Sequence, residues 1–250
     1  WNIPHLRNPN FTGRAEMLEA IEKALAFGQR AALTQVIAGL GGVGKTQLAV
    51  EYAYRHAAQY EAVWWVHAEQ PATLAADYAG LAAPLTLPEK DAADQRDVVR
   101  AVRNWMGRNP GWLLIFDNAP DATSVREYLP QGDCGHVLVT SRDPNWRGTA
   151  HLVSVQVMQR TESVEFLCKR TGQADELAAN KLADELGDLP LALEQAGAYI
   201  EAASQSFAGY LDLFRVHHQK LLERGKPTTD YPATVATTWL ISFEAASATR

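Results

Sequence analysis

Residues 39–46 read Gly-Leu-Gly-Gly-Val-Gly-Lys-Thr, four glycines in eight positions between an apolar run and a segment of helical periodicity. The spacing is G-x-x-x-x-G-K-[ST], and its flanks give it meaning. Leu33 to Ala38 reads as a strand before it, and Lys45 to His56, with Leu48, Tyr52 and Arg55 at helical spacing, reads as a helix after it. A strand turned into a helix through so small a loop leaves successive backbone N–H groups facing one point, where the helix adds the positive end of its dipole. Such a nest holds an anion. Gly41, Gly42, Val43, Gly44 and Gln47 are therefore expected around a phosphate chain, with Lys45 reaching the β- and γ-phosphates and the Thr46 hydroxyl available to Mg²⁺.

The same alternation continues to about residue 157. Ala62 to Val66, Trp112 to Phe116, Val137 to Val139 and Leu152 to Val157 are short runs rich in Val, Ile, Leu and Trp, as strands buried on both faces require. Helical patterns at Ala72 to Ala83, Asp91 to Met106 and Ala122 to Leu129 lie between them. Five strands alternating with helices predict an α/β fold, a three-layer parallel sheet. After Met158 the strand signal stops, and Thr161 to Thr171, Glu176 to Gly187, Pro190 to Ala203 and Phe207 to Gln219 read as a small all-helical domain. Gly225, Pro227 and Pro232 mark a linker, and Val235, Trp239 and Phe243 then recur on one helical face. The expected domains are 1–157, 158–225 and 226–250, the last being the first helix of a further domain.

Two more strand ends carry chemistry. Trp112-Leu-Leu-Ile-Phe-Asp117 places a carboxylate at the tip of an apolar strand, which makes Asp117 the candidate metal-side residue with Thr46. Asn118 follows, where hydrolysing proteins of this kind carry a second acid; an amide positions water and is no base at neutral pH. Asp121 is the nearest substitute and competes for the role of helix N-cap. Val137-Leu-Val-Thr-Ser-Arg142-Asp143 brings Arg142 to the same sheet edge, as a candidate γ-phosphate sensor. These features predict slow hydrolysis of a bound nucleoside triphosphate.

Four motifs in this order resemble the NB-ARC class of signalling NTPases (STAND proteins), which includes plant resistance proteins and the apoptotic protease-activating factors. They are Phe11-Thr-Gly-Arg14 with Glu16, the glycine loop, LLIFDNAPD over the metal strand, and VLVTSRD over the sensor strand. Asp188-Leu-Pro190-Leu-Ala-Leu193 resembles a fifth, GLPLAL, with Asp188 in place of Gly. The tail from Ala233 resembles the start of a winged-helix domain. The resemblance implies that Phe11, Thr12 and Arg14 cradle adenine and the phosphate edge, that Pro190 closes on the nucleotide, and that Arg142 reads the γ-phosphate. It further implies an ADP- or ATP-bound switch that self-associates through the NTPase core in the ATP state, with effector and sensor domains outside this stretch. DNAPD in the metal strand is most similar to bacterial and fungal members with downstream tetratricopeptide repeats.

An energy-transducing AAA+-like ATPase is the alternative, since it too places a phosphate loop, metal Asp and sensor on one sheet. It demands a good acid beside Asp117, where Asn118 stands. Composition narrows the partners: 23 Lys and Arg against 29 Asp and Glu give a net charge of −6, which offers no basic field for nucleic acid or anionic membrane. No apolar run reaches membrane-spanning length, so a cytoplasmic location is expected. Cys134 and Cys168 lack metal or disulfide spacing and are expected as small buried hydrophobes; His217 and His218 are expected at the surface, and Trp64 and Trp65 in a buried strand. A chain opening on Trp1 rather than Met reads as part of a longer protein.

Overall fold

A computed structural model describes residues 1–28, 30–35, 41–223 and Val235. The chain divides into two compact units, one of Trp1–Asn8, Ala15–Ala38 and Lys45–Val155, the other of Pro9–Arg14, Gly39–Gly44 and Gln156–Arg250.

Among the described residues the first unit holds five strands, β1 (Arg30–Gln35), β2 (Ala62–His67), β3 (Trp112–Ala119), β4 (Gly135–Ser141) and β5 (His151–Val155). They form one sheet in the order β2-β3-β4-β1-β5, and every neighbouring pair is parallel. The strand bearing Asp117 is thus not the neighbour of β1; β4 runs between them. Expected boundaries shift where strands end in polar residues. β1 begins at Arg30 instead of Leu33, and residues 36–38 lie outside the described residues; β2 continues to His67, β3 through Asp117 to Ala119, and β4 from Gly135 to Ser141, while β5 stops at Val155. An apolar run ends at such residues, but the ladder pairs backbone and does not.

Five helices flank the sheet: α1 (Ala15–Gly28), α2 (Lys45–Arg55), α3 (Pro71–Ala79), α4 (Gln95–Met106) and α5 (Ala122–Val125). Trp112, Leu114 and Phe116 of β3, Val137 and Val139 of β4 and Val66 of β2 share one core with Leu74 and Tyr78 of α3 and Val98, Val102 and Met106 of α4. Alternation sends Leu113, Ile115 and Leu138 to the opposite face, on which α1 and α2 pack. The result is three layers. Helix α1 is additional to the expected elements, although Leu18, Ile21 and Leu25 are buried at helical spacing. α4 starts at Gln95, not Asp91, because the Asp94 side chain accepts the Arg96 N–H at 2.9 Å and caps it. α5 is one turn, and Arg126–Tyr128 continues as a 3-10 turn.

The first eight residues cover an edge. β2 ends the sheet, and the Asn2 side chain accepts the Trp65 N–H at 2.6 Å and donates to the Trp65 carbonyl at 3.1 Å, as a neighbouring strand would. The Tyr54 hydroxyl donates to the His5 carbonyl, and Arg7 pairs at 2.9 Å with Glu51, which also holds Arg55 at 2.7 Å. Burial pushes the Glu51 carboxyl up, but hydrogen bonds from both arginines outweigh it and hold the group below the usual carboxylate range.

The second unit packs α6 (Arg160–Thr171) against α7 (Glu176–Glu185) and α8 (Pro190–Ala202), with α9 (Phe207–Glu223) alongside α7 and α8. Leu167, Leu182, Leu193, Ile200, Phe207 and Phe214 fill its core. The helix expected from Ala233 lies outside the described residues apart from Val235, which is buried. His217 is buried, not at the surface, since it follows Tyr210 and Phe214 on the inner face of α9 at steps of four and three residues. Cys134 and Cys168 are half-buried rather than enclosed; Cys134 sits just before β4, where its thiol donates to the Gly107 carbonyl. Trp65 is buried and Trp64 half-buried, its indole N–H donating to the Asp77 carbonyl. No helix among the described residues is long and apolar enough to cross a membrane.

One polar cluster lies far along the sheet from the strand tips. The Tyr60 hydroxyl meets His136 Nδ1 at 2.7 Å, and burial lowers the His136 pKa. The unfolded chain, with a His pKa near ~6.5, therefore takes up a proton first as pH falls, so stability drops from about pH 6.5 toward the lower folded value. Urea midpoints across that range are expected to fall in the parent and to flatten in His136→Gln; parallel curves would exclude His136 as the cause.

Candidate functional site

Within the first unit, the chemistry gathers where β3 breaks register. Phe116 pairs with Val139 and Ala119 with Ser141, so Asp117 and Asn118 together oppose Thr140. That is a β-bulge, the device that re-aims a side chain at a strand end. Asn118 takes φ +58°, a left-handed conformation that Asn tolerates better than most residues, and its N–H donates to Thr140 Oγ1 at 2.9 Å.

The bulge turns the Asp117 carboxylate into a shared acceptor. Its Oδ1 receives the Thr140 hydroxyl at 2.6 Å and the Thr46 hydroxyl at 2.9 Å, joining the tip of β3 to β4 and to the first turn of α2. Asp117 is buried and Thr46 half-buried. This pair of hard oxygen donors suits Mg²⁺. Lys45, the first residue of α2, is 9% exposed. Burial and the Arg142 charge push its pKa down to about 8, while Asp117 pulls the other way. Thr46, Asp117, Lys45 and Arg142 are thus electrostatic neighbours, with positive charge in excess. Arg142 and Asn118 are exposed, as is Gln47. Asp121 is spent elsewhere: its Oδ1 accepts the N–H groups of Thr123 and Ser124 at 2.8 Å and caps α5.

Within the second unit, Gly13 and Arg14 are consecutive left-handed residues at φ +64° and +62°. The kink is held from outside by Glu162 at the start of α6. One Glu162 oxygen accepts the Arg14 N–H at 2.6 Å, the other accepts the Gln159 N–H at 3.1 Å, and a Cβ on Gly13 would strike the carboxylate. The Arg14 side chain is buried, and its guanidinium donates to the carbonyls of Gln156 (2.7 Å), Val157 (3.3 Å) and Val43 (3.2 Å). Burial lowers its pKa. Arg14 therefore braces the glycine loop through Val43. Thr12 is buried, its hydroxyl donating to the Asn10 carbonyl at 2.8 Å, and Phe11 is half-buried.

The start of α8 closes on the glycine loop. The Leu191 N–H donates to the Gly42 carbonyl at 3.1 Å, and the Pro190 ring lies within 3.9 Å of where a Gly44 Cβ would stand. Gly41 and Val43 are buried. Asp188 adopts φ +53°, and Arg160 clamps its carboxylate with two 2.8 Å bonds. Thr140 and Leu191 lie inside the strand and GLPLAL-like motifs but carry no role by sequence alone, and Glu162 lies outside every motif. Only Glu162 left a signal, as the second half of the Gln159-x-x-Glu162 capping box.

A profile of the NB-ARC domain matches residues 14–177. The chain is 28% identical to a nucleotide-binding leucine-rich repeat (NLR)-like protein of Hyaloscypha variabilis, over 97% of this chain and 28% of that protein. It is 31% identical to the regulatory protein AfsR of Streptomyces griseus, over 78% of this chain and 21% of that one. It therefore spans only 21% to 28% of the length of these relatives. Among solved structures, a signal transduction ATPase with numerous domains (STAND) with a tetratricopeptide repeat sensor from Pyrococcus horikoshii superposes with a TM-score of 0.53 at 17% identity, over 93% of this chain and 40% of that one. The ORC2 protein of Aeropyrum pernix, in ADPNP-ADP complexes, gives 0.55 at 16% identity, over 84% and 69%. At such identities the likeness is one of fold.

Proposed function

Because the chain belongs to the NB-ARC family, we propose that it is the nucleotide-binding core of a signalling switch, holding ADP at rest and taking up ATP with Mg²⁺ to become active. The observation that carries the reading is the shared Asp117 oxygen, which draws the Thr46 hydroxyl of the glycine-loop helix to 2.9 Å from a carboxylate 71 residues away. A fold has little reason to collect these donors beside a buried lysine unless an anion and a cation are to be bound there.

In this reading the backbone of Gly41 to Gly44 and Gln47 wraps the phosphates, Lys45 offsets their charge, and Arg142 senses the γ-phosphate. Thr46 and Asp117 hold Mg²⁺, which would bridge and neutralise phosphate oxygens. Phe11, Thr12, Arg14 and Pro190 serve the adenine side, with Arg14 acting mainly as a brace for the loop it already touches. Residues 1–157 form the nucleotide-binding domain, 158–225 the helical domain, and 226–250 the beginning of a winged helix. Exchange of ADP for ATP drives self-association through the NTPase core, while signal input and output lie in the remainder of a longer protein in the cytoplasm. Hydrolysis is slow, because Asn118 supplies no base and Asp121 is occupied by its cap.

The test is to denature the purified protein and identify the released nucleotide by chromatography. ADP in near-stoichiometric amount supports a resting switch. An empty site that also fails to take up ADP or ATP overturns the reading.

A further inference from the structure

Thr140 stands opposite the bulge near the tip of β4 and is fully buried. Its hydroxyl oxygen accepts the Asn118 N–H at 2.9 Å, so its single proton is left for the Asp117 carboxylate, whose Oδ1 it reaches at 2.6 Å. The next residue pins the same tip: the Ser141 hydroxyl donates to the Ala119 carbonyl at 2.7 Å and accepts the Asp143 N–H at 3.1 Å. Thr140 therefore cannot turn from Asp117 without breaking a bond to the backbone or orphaning its own proton in a buried place.

This contact makes the two Asp117 oxygens unequal. Oδ1 receives both hydroxyls, from Thr140 at 2.6 Å and from Thr46 at 2.9 Å, while Oδ2 accepts no hydrogen bond among the described residues. A carboxylate oxygen offers about two lone-pair directions, so Oδ1 is filled and Oδ2 is the oxygen left for a cation. Divalent cations differ in what they ask of a carboxylate. Mg²⁺ demands near-ideal octahedral geometry, and the two oxygens of one carboxylate stand too close together to fill neighbouring corners of that octahedron. Ca²⁺ takes more oxygens in a flexible shell and accepts a carboxylate through one oxygen or both.

We propose that Thr140 determines the cation specificity of this site: by holding Oδ1 it confines Asp117 to one oxygen toward the cation, and so favours Mg²⁺ over Ca²⁺ beside the nucleotide. This rests on the nucleotide reading above. Thr140 acts through the carboxylate, as a positioning residue. Val has the shape of Thr without the proton donor, so in Thr140→Val the carboxylate loses the shorter of its two anchors and can turn both oxygens outward, an arrangement that suits Ca²⁺ and not Mg²⁺.

The experiment measures ATP affinity of the full chain by calorimetry with Mg²⁺, with Ca²⁺ and with a chelator, in the parent, Thr140→Val, Thr140→Ala and Thr140→Ser, alongside urea midpoints. The parent is expected to bind ATP more tightly with Mg²⁺ than with Ca²⁺. Thr140→Val should lower that preference by about tenfold, the scale on which residues behind a metal ligand act, while affinity in the chelator stays within about twofold. Thr140→Ser keeps the hydroxyl and should retain the preference. Thr140→Ala leaves room for water to take the Asn118 N–H and gives the same readout should Thr140→Val fail to fold. An unchanged preference in the hydroxyl-free variants, or equal losses with Mg²⁺, Ca²⁺ and chelator as from a merely loosened strand end, overturns the role of Thr140 while leaving the nucleotide reading intact. So does a parent that binds ATP alike with either cation. A parent that binds no ATP overturns both.

Discussion

Lys45→Ala is expected to lower affinity for ADP and ATP by about a hundredfold or more, close to 3 kcal/mol, while leaving the circular dichroism spectrum unchanged. The ammonium is buried at the head of α2, and its pKa of about 8 records burial and Arg142 working against Asp117. Phosphate oxygens would add negative charge to that of Asp117. Removing the cation leaves those oxygens facing the loop N–H groups alone, yet it relieves rather than burdens the empty protein, so the fold should hold. Calorimetry at matched ionic strength checks this, and unchanged affinity would remove Lys45 from the site.

Asp117 separates two roles that a single substitution confounds. Asp117→Ala leaves the buried Thr140 hydroxyl and the half-buried Thr46 hydroxyl without their acceptor and should cost about 2–4 kcal/mol of stability. Asp117→Asn keeps an oxygen for both hydroxyls and should fold normally, but it removes the charge that a divalent cation needs. Its ATP affinity should become insensitive to Mg²⁺ and its hydrolysis should fall by about a hundredfold or more. Urea titration and binding with and without Mg²⁺ distinguish the two. A Mg²⁺-dependent Asn variant would mean that the cation is held elsewhere.

The parallel sheet was legible because its strands are buried on both faces, so Trp112 to Phe116 is unbroken apolar sequence. Strand order was not, since nothing in Val137 to Val139 says that β4 runs between β1 and β3. The bulge at Asp117 and Asn118 is a relation between two strands and is invisible in either alone. Helix α1 had a readable pattern in Leu18, Ile21 and Leu25, but it precedes the first strand, outside the strand-helix alternation that guided the rest. Asp188 looked like a departure from GLPLAL. At φ +53° it occupies the conformation in which Gly costs least, and a bidentate arginine 28 residues away holds it there. The Arg14 guanidinium shows the same limit: sequence gives its place beside the motif, whereas its three carbonyl partners come from segments 29 to 143 residues distant.

Asn2 has a wider consequence through the open side of β2. A terminal strand with bare N–H and C=O groups is a template on which any extended chain can register, and the aromatic residues of Ala-Val-Trp-Trp-Val-His make this one adhesive. A single amide side chain occupies those groups at Trp65. Residues 1–8 thus guard the sheet by occupying the backbone groups on which a foreign strand would register, and the same segment steadies α2 through His5 and Arg7, so edge protection and the helix that carries Lys45 and Thr46 share one stretch of chain.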